Sequence, residues 1–300
     1  MKILITGASG LVGGELIPTL EAKGHEIFKV SRSSAKNDHE IKWDTYEGFA
    51  EKEFEKLKGI DAVIHLAGEN VGDSSWDEEK KRRIRKSRVE GTRTLVNALK
   101  KLENPPEIFI SASAIGFYGN RGDEILTEES EPGEGFFPEV CREWEAEGDK
   151  AKEFGARVVH PRIGIVLSKD GGALEKMLTP FKFGVGGTVG SGEQWMSWIA
   201  IDDLVRIFHF AIENGNINGA INATAPNPVN NEEFTDTLGN ILHRPTILHI
   251  PAFGIKLLFG EMGEKLLLEG NRVIPQKLLD AGFEFEHPNL KEAIQHALNN

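Results

Sequence analysis

The sequence predicts an α/β fold in which a doubly wound parallel sheet is joined to a smaller C-terminal lobe, and three observations support this. Short apolar runs alternate with longer helical stretches up to about Ile165, a pattern typical of βαβ units. These runs show little alternation of polar and apolar residues, as expected of strands covered on both faces. A glycine-rich turn joins the first run to the first helical stretch. The predicted strands are Lys2–Thr6, Glu26–Val30, Ala62–Leu66, Glu107–Ala112 and Arg157–His160.

The chain beyond Ile165 has a different pattern. Glycine-rich stretches are followed by mostly helical sequence, and residues 219–225 (GAINATA) are predicted to return to the sheet as one more buried strand. We therefore predict one domain over residues 1–165, completed by that strand, and a smaller, mostly helical lobe over residues 166–300. The chain ends in an amphipathic helix with Leu290, Ile294 and Leu298 on one face.

Composition and charge exclude several classes of protein. The 300 residues are 39% hydrophobic and 27% charged, as in ordinary globular proteins. The formal charge of −12 gives no general attraction to nucleic acid, and no run of about 18 uncharged apolar residues predicts a membrane span. The single cysteine cannot form an intramolecular disulfide, and the N-terminal segment does not resemble a secretory signal. We expect a soluble cytoplasmic protein with a small-molecule substrate, and a homodimer is left open.

The turn after the first strand predicts a dinucleotide site. Gly7 allows a sharp turn, Gly10 lets backbone amides approach a pyrophosphate, and Gly13 lets the helix pack closely on the strand. The N-terminus of the following helix adds partial positive charge. The alternative is a purely structural turn, but strand, turn and helix occur in the required order. The predicted cofactor-binding residues here are Thr6, Gly7, Ser9, Gly10, Leu11, Val12 and Gly13, which makes residues 1–165 a Rossmann-type domain and residues 166–300 a substrate lobe.

The end of the second strand favours NADP over NAD. An NAD site usually has an acidic residue here to bind the ribose 2′-hydroxyl. This strand instead ends in Ser31 and Arg32, followed by Ser33, and a guanidinium can hold a 2′-phosphate with two hydrogen bonds. In the alternative, Arg32 is a solvated loop residue and Asp38 or Glu40 contacts the ribose.

The third strand and the helix after it add further candidates. Leu66, Ala67, Gly68 and Glu69 follow the strand, and small residues there permit close approach of the cofactor. Glu69 either binds substrate or caps the following turn. On the helix, most cations are expected to face solvent, but Arg88 shares the apolar face and needs an anion, which the cofactor or Asp44 would supply.

Taken together, the motifs TGASGLVG, HLAGEN, SASAIGFYG and SWIAIDDLVR resemble those of the extended short-chain dehydrogenase/reductase superfamily, whose members include NAD(P)-dependent epimerases and dehydratases. Three further segments, WDxxxG near Trp43, RIRKSRVEGTRTLV and RVIPQKLLDAGFEFEHPNL, are similar to its epimerase-like, or cell-division-inhibitor-like, subfamily. The resemblance covers nearly the whole chain. It implies a Rossmann fold and a bound NADP, with no agreed substrate.

The resemblance assigns Ser113 to the serine that hydrogen-bonds the reacting carbonyl or hydroxyl. It also calls for a tyrosine with a lysine four residues later, which this chain lacks, because Ala50 and Gly122 follow Tyr46 and Tyr118 at that spacing. Our best register puts Phe137 and Cys141 at the two positions, and Arg88 where relatives usually carry an asparagine.

Substitute proton donors and a substrate cleft are predicted from the remaining residues. Cys141 is a candidate acid or nucleophile, or else a small core residue, and Tyr118 either reaches the nicotinamide or anchors its loop. We place Arg162 with the cofactor-site residues and expect it to hold an acidic group of the substrate. Trp195, Trp198 and Gly184–Gly192 are expected to line the cleft. The histidines show no metal-binding spacing, so no metal is expected, and His65 and His160 are interpreted as core residues.

The sequence therefore predicts an NADP-dependent oxidoreductase or epimerase-like enzyme that acts by hydride chemistry on a carbonyl or sugar-like substrate. The altered proton-transfer residues favour an alternative, in which the protein is a non-enzymatic NADP(H)-binding regulator.

Overall fold

A computed structural model describes residues 1–32, 35 and 37–299 of the chain. The strands are β1 (Lys2–Thr6), β2 (Glu26–Ser31), β3 (Glu40–Asp44), β4 (Gly48–Phe49), β5 (Ala62–His65), β6 (Ile108–Ser111), β7 (Ser113–Ala114), β8 (Ile125–Leu126), β9 (Arg157–Ile163), β10 (Ile165–Leu167), β11 (Gly187–Val189), β12 (Trp195–Met196), β13 (Trp198–Ala200), β14 (Gly219–Ala223), β15 (Val229–Asn230), β16 (Leu248–Ile250) and β17 (Arg272–Val273).

The α-helices are α1 (Leu11–Ala22), α2 (Glu78–Leu99), α3 (Phe136–Asp149), α4 (Gly172–Lys182), α5 (Ile201–Glu213), α6 (Asn231–Leu242), α7 (Ala252–Gly263), α8 (Gln276–Asp280) and α9 (Leu290–Asn299). Short 3₁₀-helices cover Glu51–Leu57, Ile115–Tyr118 and Lys150–Phe154, and a π-helical turn covers Glu264–Leu268. Among the described residues, no helix is long and apolar enough to cross a membrane.

A mostly parallel sheet forms the centre of the molecule. Its strand order is β14-β9-β6-β5-β1-β2-β3-β4, with β7 also paired to β9, and the β3–β4 pair is antiparallel. Strands β1, β5 and β6 are adjacent, so their carboxyl ends meet at one edge of the sheet. The predicted class, an α/β fold with a doubly wound parallel sheet, is confirmed.

The central strands are covered on both faces because successive side chains of a strand point to opposite sides. Ile3 and Ile5 belong to the apolar cluster that contains α1 and α5, whereas Leu4 belongs to the cluster that contains α2. This two-sided burial explains why the strand sequences show little alternation.

The second half of the chain adds short two-stranded sheets and most of the smaller helices. β8 pairs with β17, and β14 joins the central sheet beside β9. Segments from before and after residue 165 therefore contact each other repeatedly, and the division at that residue stays a prediction.

Candidate functional site

The glycine turn lies between the carboxyl end of β1 and the start of α1. Gly7 has a positive φ of 71°, and a Cβ at this position would lie 2.7 Å from the carbonyl carbon of Leu66. A Cβ on Gly13 would lie 2.5 Å from the carbonyl oxygen of Gly7. These two positions therefore have no room for a side chain, and the turn, strand and helix are packed backbone to backbone.

Among the residues that the structure describes, no side chain caps the N-terminus of α1. Gly10 occupies the cap position with extended backbone, it is exposed together with Ser9, and the first turn contains no acidic residue. The amides of a first helical turn have no partner within the helix, so an anion is well placed to accept from them. Leu11 and Val12 are partly buried, and Leu11 packs against Gly171. The turn fits the diphosphate of a dinucleotide.

Thr6 fixes the turn to the neighbouring strand. Its Oγ1 lies 2.6 Å from Nδ1 of His65 and accepts a hydrogen bond from the amide of Ala67 at 3.2 Å. His65 is fully buried, and its Nε2 lies 3.0 Å from Oγ1 of Thr92 on α2. Thr6 is itself fully buried, so in this structure it positions the loop.

Ser31 ends β2, and Arg32 follows it with an exposed side chain. Within residues 1–32, 35 and 37–299, no carboxylate forms an ion pair with Arg32, so its guanidinium is available to a ligand. Asp38 is exposed and Glu40 begins β3. Ser33 lies outside the described residues. The choice between the two cofactors stays a prediction.

Arg88 lies against the backbone that follows β5, and its contact with a cofactor stays a prediction. Its Nη1 donates to the carbonyl oxygens of Glu69 and Ile84 at 3.1 and 3.2 Å, and its guanidinium lies 5.1 Å from the ring centre of Trp144. Among the described residues Asp44 forms no ion pair with Arg88, and its Oδ1 accepts from two backbone amides of its own turn. Burial lowers the pKa of Arg88, and in the described part of the chain no carboxylate lies within 4.0 Å of it.

Glu69 belongs to a cluster of charges on the loop before α2. Its carboxylate lies 2.8 Å from Nζ of Lys80 and 3.3 Å from Nε of Arg83. Lys80 is 2% exposed and also contacts Asp73 at 2.5 Å. The structure thus differs from the expectation that Arg88 alone among the cations of α2 faces inward. The carboxylate of Glu69 is paired with Lys80 and Arg83 and, among the described residues, accepts no hydrogen bond from a backbone amide as a capping side chain would.

Ser113 begins β7, just past the carboxyl end of β6, at the same edge of the sheet as the glycine turn. Its Oγ donates to Oε1 of Glu145 at 2.7 Å. Glu145, on α3, also accepts two hydrogen bonds from Arg162, at 2.8 and 2.9 Å. The side chains of Glu145 and Arg162 are only 12% and 5% exposed, so this is a largely buried, two-point ion pair.

Arg162 therefore differs from its predicted role. It lies within β9 and not past the end of a strand, and its charge is balanced by Glu145 instead of by an acidic ligand. Its guanidinium also stacks on Phe117, 3.4 Å from the ring centre, and donates to Oη of Tyr118 at 2.9 Å.

Tyr118 is fully buried, as its alternative interpretation as a loop anchor requires. Its hydroxyl donates to Oδ1 of Asn222 at 2.6 Å, and the backbone N–H of Asn222 donates to Oε1 of Glu128 at 2.9 Å. Burial raises the pKa of Tyr118 to about 12. A phenol in this setting keeps its proton at neutral pH, so it is a poor proton donor and is seldom the phenolate that could accept a proton.

Cys141 is also buried, in a small apolar cluster with Phe117, Tyr118, Leu126 and Val273. Burial raises the pKa of its thiol to about 12, so the reactive thiolate is scarce at neutral pH. Phe137 and Cys141 both lie over Gly116, where a Cβ would meet them at 3.4 and 4.0 Å. The geometry favours the interpretation of Cys141 as a small core residue.

The predicted cleft residues do not share one environment. Trp198 is fully buried, so it does not line an open cleft. Trp195 is partly exposed, stacks with Arg272 and donates to Asp123 at 2.7 Å. Gly187, in the glycine-rich stretch, has no space for a side chain because β16 packs on it.

Sequence reasoning missed three residues that organise the site: Lys80, Glu145 and Asn222. Glu145 lies four residues after Cys141 on α3, so both side chains are on the helix face that packs toward Ser113. This four-residue spacing was the sequence signal that could have identified Glu145. Asn222 lies opposite Arg162 in the β9–β14 pair, which only the sheet register reveals.

Comparison with known proteins gives two family matches. Residues 3–224 match the NAD dependent epimerase/dehydratase family, and residues 250–297 match a domain of unknown function, DUF1731. An epimerase family protein of Mycobacterium bovis is 39% identical over 295 residues, which are 98% of this chain and 97% of that protein.

Two solved structures are similar over the whole chain. The human epimerase family protein SDR39U1, crystallised with NADPH, has a TM-score of 0.90 and 33% identity and covers 100% of both chains. A nucleoside-diphosphate sugar epimerase from Corynebacterium glutamicum has a TM-score of 0.82 and 38% identity, covering 99% of this chain and 58% of its own.

Proposed function

The chain belongs to the NAD dependent epimerase/dehydratase family, and from that premise we propose that it is an NADP(H)-dependent oxidoreductase or epimerase-like enzyme acting on a carbonyl or sugar-like substrate. One observation carries the proposal: Ser113 lies at the same sheet edge as the uncapped glycine turn and is hydrogen-bonded to the carboxylate of Glu145. Ser113 is 3% exposed, so a substrate oxygen would have to reach its hydroxyl from the sheet edge, beside a bound nicotinamide.

The glycine turn would hold the diphosphate of the cofactor. The free amides at the start of α1 suit a diphosphate, and the backbone packing of Gly7 and Gly13 keeps that helix end at the sheet edge. When bound, the nicotinamide supplies or accepts a hydride at the reacting carbon.

Arg32 would select NADP. Its exposed side chain follows β2, where a dinucleotide fold places the ribose 2′ position, and a guanidinium pairs well with a phosphate. The NADPH in the human relative supports this choice.

Ser113 and Glu145 would replace the missing tyrosine and lysine. As a substrate hydroxyl is oxidised, its proton passes to Oγ of Ser113 and the serine proton passes to Oε1 of Glu145; reduction of a carbonyl reverses both transfers. Arg162 holds both oxygens of Glu145 in position. Tyr118 and Cys141 are poor alternatives, because burial raises the pKa of each to about 12.

The experiment is a turnover assay with NADPH and a panel of aldehydes, ketones, quinones and nucleotide sugars. We expect the wild type to oxidise NADPH with at least one carbonyl, and Ser113→Ala to lose roughly 100-fold or more of that rate while still binding NADPH. Ser111→Ala is the matched control, because the buried Ser111 hydroxyl has no hydrogen-bond partner among the described residues. Equal rates in Ser113→Ala and wild type would contradict the proposal.

A regulator that binds NADP(H) without catalysis is the second candidate. The burial of Tyr118 and Cys141 favours it, because neither replaces the usual proton-transfer pair. Tight NADPH binding with no turnover across the panel would support this candidate and exclude the enzyme.

A further inference from the structure

Two histidines and a glutamate come together at the edge of the sheet opposite the glycine turn. His25 lies in the turn between α1 and β2, and His209 and Glu213 lie four residues apart on α5, which packs on α1. One potential ligand atom from each of the three residues lies within 4.8 Å of the other two. The two imidazole ring centres are 5.8 Å apart, with their planes at 60°.

Three of the four imidazole nitrogens in this cluster have no hydrogen-bond partner among the described residues. Both ring nitrogens of His25 and Nε2 of His209 are shielded from solvent, yet none has a hydrogen bond within the described residues. Nε2 of His209 lies 3.2 Å from Oε1 of Glu213, but without hydrogen-bond geometry. Buried polar atoms of this kind are costly unless something binds them.

We propose that His25, His209 and Glu213 form a binding site for one divalent transition-metal ion of the Zn²⁺ type. Two imidazoles and one carboxylate are a common ligand set for zinc, with water in the fourth position. Zinc binds its ligands at about 2.0–2.2 Å, so small side-chain rotations would bring the three donors together around the ion.

The charge state of the site suits a cation. Burial lowers the pKa of both His25 and His209, which favours the neutral imidazole, the form that binds metals. Glu213 is largely exposed and supplies one negative charge. The positive charges of Lys23 and the N-terminal amino group lie near His25 and repel a bound cation. This repulsion favours an ion that bonds strongly to imidazole over Ca²⁺ or Mg²⁺, which bind mainly oxygen ligands.

The ion would act on stability and not on catalysis. It would join the α1–β2 turn to α5 across one face of the sheet. This site lies at the opposite end of β1 and β2 from the glycine turn and Arg32. An ion that binds only the folded chain raises its stability in proportion to the logarithm of the ion concentration. This inference does not rest on the proposed function.

The test is Zn²⁺ binding to the chelator-treated full chain, measured by calorimetry and by thermal unfolding. We expect one high-affinity Zn²⁺ per chain and a rise in Tm, with affinity reduced roughly tenfold or more in His209→Gln and in Glu213→Gln. Glu213 is 62% exposed, so its variant should fold even if the His209 variant is unstable. Neither substitution should alter NADPH affinity.

The matched control is His287→Gln. His287, His296 and Asp202 form the other cluster of potential ligands in the described chain, so this variant should bind Zn²⁺ as the wild type does. The proposal is overturned if the wild type does not bind Zn²⁺, if His209→Gln and Glu213→Gln bind it with unchanged affinity, or if only His287→Gln loses it.

Discussion

At the scale of single residues, two neighbouring glycines of α1 have opposite surroundings. A Cβ on Gly13 would lie 2.5 Å from a backbone oxygen, whereas a Cβ on Gly14 would meet no atom of the described residues within 4 Å. We expect Gly13→Ala to lower the free energy of unfolding by about 1–3 kcal/mol, because the helix must move away from the strand. Gly14→Ala should raise it by about 0.5–1 kcal/mol, because alanine favours a helix. Urea unfolding measures both changes. A Gly13→Ala variant with the same free energy of unfolding as the wild type would show that Gly13 does not need to be a glycine for α1 to pack on β1.

Gly10 provides a related test of binding. It is exposed, and an added Cβ would have only one close contact, at 3.3 Å from the oxygen of Gly7. We expect Gly10→Val to keep the fold but to lose NADP binding, since a branched side chain would occupy the space in front of the amides. A well-folded variant with unchanged NADP affinity would exclude this turn from the site.

Arg32 carries the prediction about cofactor choice. Replacing it with alanine should reduce NADP affinity roughly 10- to 100-fold and leave NAD affinity nearly unchanged, because only NADP has the 2′-phosphate. Arg82→Ala is the control, since Arg82 is also exposed but lies on α2. Fluorescence titration of both cofactors measures the effect, and equal affinity of the wild type for NAD and NADP would refute the assignment.

At the scale of secondary-structure elements, the bond from Glu145 to Arg162 joins α3 to β9. Glu145→Gln removes the carboxylate and leaves the buried Arg162 charge unbalanced, which should cost about 3–5 kcal/mol of stability. Glu143→Gln, two positions away on the same helix, breaks only an exposed pair with Arg85 and should cost less than about 1 kcal/mol. Similar Tm values for the two variants would show that Glu145 is not essential for docking α3.

The same elements show how far the sequence predicts this site. The apolar run of β1 was located correctly, and the glycine turn follows it as expected, because both depend on local sequence. Strand β9 instead extends to Ile163, beyond the predicted end at His160, because β14 and β7 pair with its second half. Because the strand extends this far, Arg162 lies within β9 and is buried, and its guanidinium forms an ion pair with Glu145. That contact depends on how α3 docks, so a single sequence could not reveal it.

At the scale of the whole molecule, buried histidines link stability to pH. His65 joins β1, β5 and α2 through two threonine hydroxyls, and burial lowers its pKa from 6.5 to about 4. Below pH 6.5 the unfolded chain takes up a proton at this residue and the folded chain does not. The free energy of unfolding therefore decreases as the pH is lowered, until both forms are protonated below about pH 4. The lowered pKa values of His25 and His209 act in the same direction.

The loss attributable to His65 should reach about 3 kcal/mol near pH 4, of which about 1 kcal/mol is lost between pH 7.5 and pH 5.5. This upper interval is the useful one, because most carboxylates remain ionised there. Urea unfolding at both pH values, on wild type and His65→Gln, measures the difference. Glutamine can still hydrogen-bond to a threonine hydroxyl but does not titrate, so the variant should be less stable at pH 7.5 yet lose about 1 kcal/mol less on acidification. If the two proteins lose equal stability over this interval, His65 is protonated in the folded chain, and the interpretation of its buried position as a neutral link between β1, β5 and α2 is wrong.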